Sequence, residues 1–363
     1  MENNINNNKV EVEKTKFKIF LDFLVVSFNG MAIGLFSTLI IGVIIEQIGV
    51  GISYIPYMET LSEYIVKAAV VLKSAMGIGI GIGMAYALKQ EGLKLVVIGL
   101  AGGIASSFAY LGTNIFGGKA LNDPLTVYLV VVGVYLFFKF IFNKKTPVDI
   151  ILIPLFGSVV ALILTFILGF PIKSITTQLG VLIDIVSKSN IGLFFVGMIV
   201  SVLMGMALTA PISSAAIAIA INLEGLAGGA AVVGCCVQML GFAVMSRKDN
   251  KIGTIIGVAI GTSMLQFKNI IKKPIIWLPT IIVSAVLGPL STLLFKMETN
   301  AIGAGMGTSG LVGQIGTFAV MGYNMKAFLI VLVLQIILPI VLVYILDLIF
   351  RKKGLIVPGD LTI

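Results

Sequence analysis

Apolar residues fill most of this chain in blocks near the length of a bilayer crossing, and the polar residues collect in short clusters between them. A helix needs about 20 apolar residues to cross the hydrocarbon core. The first block covers about Leu21 to Ile45, with Asp22 at its mouth and Asn29 inside; a polar loop with Glu46, Glu59 and Glu63 follows. Further blocks run from about Ile65 to Leu88, Leu95 to Phe116 (ending in Gly112-Thr113-Asn114), Leu125 to Phe142 and Pro147 to Phe170. The second half is less regular. Ile191 to Leu208 is broken by Thr209-Ala210-Pro211-Ile212-Ser213-Ser214, a short piece Ala215 to Ile221 leads to Asn222 and Glu224, and Leu226 to Met245, Pro274 to Phe295 and Lys326 to Phe350 follow.

Between these blocks, Pro171 to Asn190 differs in kind. Ile172, Ile175, Leu179, Leu182, Ile183 and Val186 recur at helical spacing, while Lys173, Thr176, Thr177, Gln178, Asp184 and Lys188 take other faces. This predicts an amphipathic helix in the plane of the interface.

Two segments resist reading as full spans. Ile252 to Phe267 has about 16 residues, roughly 24 Å of helix against a core of about 30 Å, and basic residues flank both its ends. Thr299 to Gln314 holds five glycines between 303 and 313, each costing about 1 kcal/mol relative to Ala inside a helix. Irregular backbone at membrane depth must be buried in protein or line a wet cavity. Both segments therefore read as re-entrant hairpins, 252–267 and 299–322; close packing of a glycine-rich helix is the other reading of the second.

The two segments also share a pattern, I-G-x-x-x-G-T-S-x-L, beginning at Ile256 and Ile302, with Gln266 and Gln314 shortly after. Paired broken segments meeting near the midplane point to a transporter's site. The candidate solute-binding residues are Thr262, Ser263, Gln266, Gly307, Thr308, Ser309 and Gln314, with the helix break at Thr209, Pro211 and Ser213 nearby. Neutral donors and acceptors of this kind suit hydroxyl groups better than an ion.

Composition agrees. The chain has 363 residues, 58% hydrophobic and 11% charged, with mean hydropathy +1.11. That is a polytopic all-α membrane protein of about ten transmembrane helices, two re-entrant hairpins and one interfacial helix. The net charge of +9 is topology rather than a nucleic-acid footprint. With the amino terminus inside, 18 of the 25 Lys and Arg fall in segments 1–18, 89–94, 139–149, 246–251, 268–273 and 351–363. Both termini are then cytoplasmic. The polar, Asn-rich stretch from Met1 to Lys18 shows no signal-peptide pattern.

Some chemistry is excluded. There is no histidine, so no His phosphoacceptor, base or metal ligand. Cys235 and Cys236 are adjacent in an apolar run and read as buried thiols. No cofactor or metal pattern appears, and no catalytic constellation. Gly77-Ile78-Gly79-Ile80-Gly81-Ile82-Gly83 lacks the frame of a dinucleotide fingerprint and predicts close helix approach. Lys73, inside a span, carries either a function or a snorkelling head group.

Five spans, an interfacial helix and a second half with hairpins resemble the EIIC membrane component of bacterial sugar phosphotransferase systems. Gly305-Met306-Gly307-Thr308-Ser309-Gly310-Leu311-Val312-Gly313-Gln314 resembles the branch that includes the perfringolysin regulator-like membrane proteins. The resemblance implies a homodimer in the bacterial cytoplasmic membrane, with a cytoplasmic tail (1–18), a scaffold (19–170), the interfacial linker (171–190), a mobile transport domain (191–350) and a second tail (351–363). It implies a sugar-like solute and an elevator-like movement. Sugar-transporting members often use a Glu in a T-E-P-type motif and a His; here the comparable tripeptide is Thr209-Ala210-Pro211. Coupling to phosphorylation would need separate phosphotransferase proteins. A sensor that binds a solute without transporting it is the main alternative, and a channel a third reading, unsupported by any ring of charge.

Overall fold

The computed structural model describes residues 2–107, 123–142, 146–189 and 192–363, with side chains from residue 18 onward except 107, 173 and 176. Gly112-Thr113-Asn114, the 144–145 lysine pair and the lysines of the amino-terminal tail before Lys18 lie outside what is described.

The described residues are helical, and five helices are long and apolar enough to cross a membrane, or six if one bent pair is a single span. The expected count of about ten includes shorter apolar helices of 10–17 residues. The described residues do not reach that count as full-length spans.

α1 (Glu2–Leu35) passes through a π turn at Phe36–Ile40 into α2 (Ile41–Ile52). Glu46 is thus inside a helix, not in the expected loop: Ile48, Val50 and Ile52 keep the segment apolar enough to continue, and Lys73 answers the charge. α3 (Glu59–Ser74) and α4 (Met76–Ala87) form the bent pair, at 48°. α5 (Gly92–Ser107) and α6 (Pro124–Phe140) complete the first bundle. The alternating glycines of α4 serve two neighbours at once. Gly79 and Gly83 meet Gly34 and Gly30 of α1, while Gly77 and Gly81 meet Gly102 and the Ile98 carbonyl of α5. A Cβ on Gly81 would stand 2.5 Å from that carbonyl oxygen, so any side chain there forces the helices apart.

α7 (Asp149–Lys188) is one helix of 40 residues with Pro154 and Pro171 inside it. The expected end near Phe170 is not a break, although Pro171 removes a backbone donor. At 1.5 Å per residue this helix is roughly 60 Å long, about twice the hydrocarbon core. Leu179, Ile183 and Val186 pack against the second half; Ile175 and Leu182 stay exposed.

In the second half, α8 (Leu193–Thr209), α9 (Ser214–Ala220), α10 (Gly225–Met245) and α13 (Leu278–Pro289) surround a core chiefly of Val, Leu and Ile. Gly205 against Gly234 and Gly197 against Gly288 bring α8 onto α10 and α13. Two chain reversals lie among these helices. The first comprises α11 (Ile252–Ile256), a π turn to Gly261, a 3-10 turn at Ser263–Gln266 and α12 (Phe267–Lys272). It returns to its start, because Asn250 and Gln266 both donate to the Leu361 carbonyl, at 2.7 and 2.9 Å. The second comprises α14 (Ala301–Ala304), a 3-10 turn at Ser309–Leu311 and α15 (Val312–Met321), with Gly303 against Gly316 where its arms meet. α16 (Met325–Ile330), a π turn and α17 (Leu338–Lys352) close the chain.

Several basic segments converge at one end. Buried Asp347 accepts from Arg247 at 2.6 Å and from Arg351 at 2.9 Å, and Lys273 pairs with Asp360 at 2.6 Å. A buried carboxylate needs such partners, since removing one leaves an uncompensated charge.

Candidate functional site

Five helix irregularities meet at one open-sided cavity of about 510 Å³. From the first half come the π turn and α2 (Leu35, Leu39, Ile40, Val43, Glu46, Gln47) and the α3–α4 bend (Val70, Lys73, Ser74, Met76), with Ser106 and Pro124. From the second half come the break after α8 (Leu208, Ile212, Ser213, Ser214 and Ala215) and the two reversals (Gly261, Thr262 and Met264; Ile302, Met306, Ser309 and Val312). Broken helices expose backbone polar groups, and a wet cavity is where a membrane protein can place them.

The expected residues divide into two sets. Thr262, Ser309 and Ser213 line the cavity. The others lie behind it and hold the tips in place. Thr308 donates to the Ala259 carbonyl and touches the Met239 sulfur, so the two reversals are in direct contact. Ser263 shares a 2.8 Å hydrogen bond with Thr209. Thr209 donates to Gln238 Oε1 at 3.1 Å, and the same oxygen accepts from Trp277 at 2.9 Å and Thr280 at 3.1 Å. One buried amide thereby ties the α8 break to α10 and α13. Gln266 is engaged by Leu361 and, through its Oε1, by Asn269 at 2.7 Å. Gln314 reaches Cys236 Sγ at 3.5 Å, and its Oε1 is buried without a partner. Pro211 is buried in the break itself.

Gly307 has φ +55°, and a Cβ there would stand 2.8 Å from the Cys235 carbonyl carbon. Only glycine meets both demands. This also explains the buried, free thiols of Cys235 and Cys236: they are the floor on which the second tip rests. Ser214, beside the α8 break, donates to the Gly305 carbonyl at 2.6 Å, joining a third irregular segment to the same tip.

Sequence reasoning missed the first-half wall. Lys73 stood out as a charge inside a span, but its partner did not. Its ammonium donates to Glu46 Oε1 at 2.6 Å, and both side chains line the cavity. The Lys73–Glu46 pair replaces the snorkelling reading. The available signal was two opposite charges, each inside an apolar helix.

Fold and cavity together define the class: an all-helical integral membrane protein with a part-polar cavity of solute size. A family model described as "Phosphotransferase system, EIIC" matches residues 26–363. The chain belongs to that family, the membrane permease component of bacterial sugar phosphotransferase systems in the plasma membrane. EIIC is not itself the catalytic phosphotransferase. No curated protein and no solved structure matches the chain.

Proposed function

We propose that this protein binds a small sugar-like solute in the cavity between its halves and carries it across the bilayer by movement of the second half against the first. The observation that carries the reading is the composition of the cavity wall. Helices of the first half form one side, and three broken segments of the second half form the other. A solute held there touches both halves, so moving one against the other would change which side of the membrane the cavity faces. Thr262, Ser309 and Ser213 would meet solute hydroxyls directly. Ser263, Thr308, Gln266, Gln314 and Thr209 would hold the tips in register.

Such movement would break the Lys268–Asn29 hydrogen bond, at 2.8 Å, which ties the first reversal to α1. The 171–188 part of α7, whose Leu179, Ile183 and Val186 pack on the second half, would link the two halves. A homodimer built on the first half would give the moving half a fixed frame. Both termini would be cytoplasmic, and separate phosphotransferase proteins would dock on that face.

The test is uptake of radiolabelled sugars into proteoliposomes, with Thr262→Val plus Ser309→Ala as the variant. Removing two hydroxyls from the wall should weaken binding by about 1–3 kcal/mol in total. Binding without uptake in the wild type would identify a sensor. Unchanged binding in the double variant would place the solute elsewhere. Labelling of a cysteine placed at Asp360 from outside intact cells would refute the orientation.

A further inference from the structure

Among the described residues that line the cavity, Lys73 and Glu46 are the only charged side chains. They come from different helices, α3 and α2, and each is about a quarter exposed, 26% and 27%. The pair is accommodated by the backbone around it. Gly42, one turn before Glu46, lies under the lysine stem, where a Cβ would stand 2.7 Å from Lys73 Cγ. Their single hydrogen bond uses one of the three ammonium donors and one of the two carboxylate oxygens. Among the described residues no further bond to either head group is present. Two donors and one acceptor oxygen, all charge-assisted, are left beside the cavity.

We propose that the Lys73–Glu46 pair is the charge filter of this cavity and selects neutral, polyhydroxylated solutes over charged ones. The inference rests on the reading of the cavity as the solute site. The physical reason is electrostatic. The described wall carries both signs within 2.6 Å and has no net charge. A neutral polyol can accept from the spare ammonium donors and donate to the spare carboxylate oxygen, and such charge-assisted bonds are the stronger kind. An anionic solute gains at Lys73 only by meeting Glu46. A cationic solute gains at Glu46 only by meeting Lys73. In either case the solute's charge is set against a like charge held within one hydrogen-bond length of its partner, which is costly. The hairpin tips cannot make this distinction, since Thr262, Ser309 and Ser213 bear no charge.

The test is equilibrium binding to the full-length protein in nanodiscs. The probes are a panel of neutral mono- and disaccharides and hexitols, each matched with its uronate, phosphate and amino-sugar counterpart. Wild type should bind a neutral member at least tenfold more tightly than its charged counterparts. Glu46→Gln leaves a lone ammonium and should shift the ratio tenfold or more toward the uronate or phosphate. Lys73→Met leaves a lone carboxylate and should shift it toward the amino sugar. Glu46→Gln with Lys73→Gln removes both charges and should return the preference for neutral probes at lower affinity. A structural pair would lower thermal stability in the single variants and leave the ratios unchanged, and that result would overturn the proposal. So would a wild type that binds a charged member as tightly as its neutral counterpart, a result that needs no variant to fold. Neither outcome touches the solute reading. If wild type binds no member of the panel, or if Thr262→Val plus Ser309→Ala leaves binding intact, the cavity reading itself fails and the filter falls with it.

Discussion

The two reversals carry the same ten-residue pattern, and the fold uses it in opposite ways. In the first, Thr262 lines the cavity and Ser263 is turned away to Thr209; in the second, Ser309 lines the cavity and Thr308 is turned away to Ala259. The hydroxyl pair is conserved in chemistry between the two copies, but its members exchange places. Backbone conformation decides this. Thr262 is extended, φ −160° and ψ 140°, and its side chain caps Met264 N. Thr308 has φ −86° and ψ 4°, following Gly307 at φ +55°. Adjacent side chains in such different backbones point to different sides, so a repeated sequence does not give a repeated surface. The second tip is also the more strained, because Leu311 adopts φ +62°, an uncommon region for a side chain of its size.

This contrast can be broken at its glycines, where the largest effect is expected. Gly307→Ala must place a Cβ at positive φ and against Cys235, and should cost about 2 kcal/mol or more, since the left-handed backbone alone costs roughly 1–2. Gly261→Ala, its counterpart, meets Phe36 Cε2 at 2.9 Å with no positive φ. A ring can shift, so the expected cost is about 1 kcal/mol or less. Thermal unfolding in detergent compares them. Equal losses would mean that the two tips are held alike.

The hydroxyls come next. Ser263→Ala and Thr308→Val should each lower stability by about 1–3 kcal/mol, the cost of leaving a buried partner unpaired. Thr262→Val and Ser309→Ala should lower stability by less and affect solute affinity more. Unfolding curves and titrations on the same four proteins give the answer, and a stability loss confined to the wall pair would reverse the assignment.

The smallest effect should come from the chain's last residues. Leu361 and Thr362 accept from Asn250, Gln266 and Asn269, all at the base of the first reversal. Truncation after Asp360 should speed amide exchange across 263–272 by roughly tenfold, equivalent to about 1.4 kcal/mol of local stability, through lost hydrogen bonds. Exchange across 301–321 should stay unchanged. Equal acceleration in both would show that they open as one unit.

Much of this was legible in the residues themselves. Apolar block length gives a helical membrane protein, since lipid offers no partner to backbone groups outside a helix or closed barrel. The glycine content of 303–313 and the short length of 252–267 mark both reversals, and the shared pattern joins them before any contact is known. These properties are local or additive along the chain, so a linear reading reaches them.

Other features were decided only in three dimensions. Whether Pro171 ends a helix depends on neighbours that pack across it, and α7 continues. Which of two adjacent hydroxyls faces the cavity depends on dihedrals set by Cys235, Ala259 and Thr209. Glu46 and Lys73 are 27 residues apart, and only the packing of α2 on α3, with Gly42 between them, turns two isolated charges into one pair. The physical reason is the same in each case. Propensity and hydropathy act residue by residue, whereas a binding surface is made by the directions in which side chains point once distant segments have met.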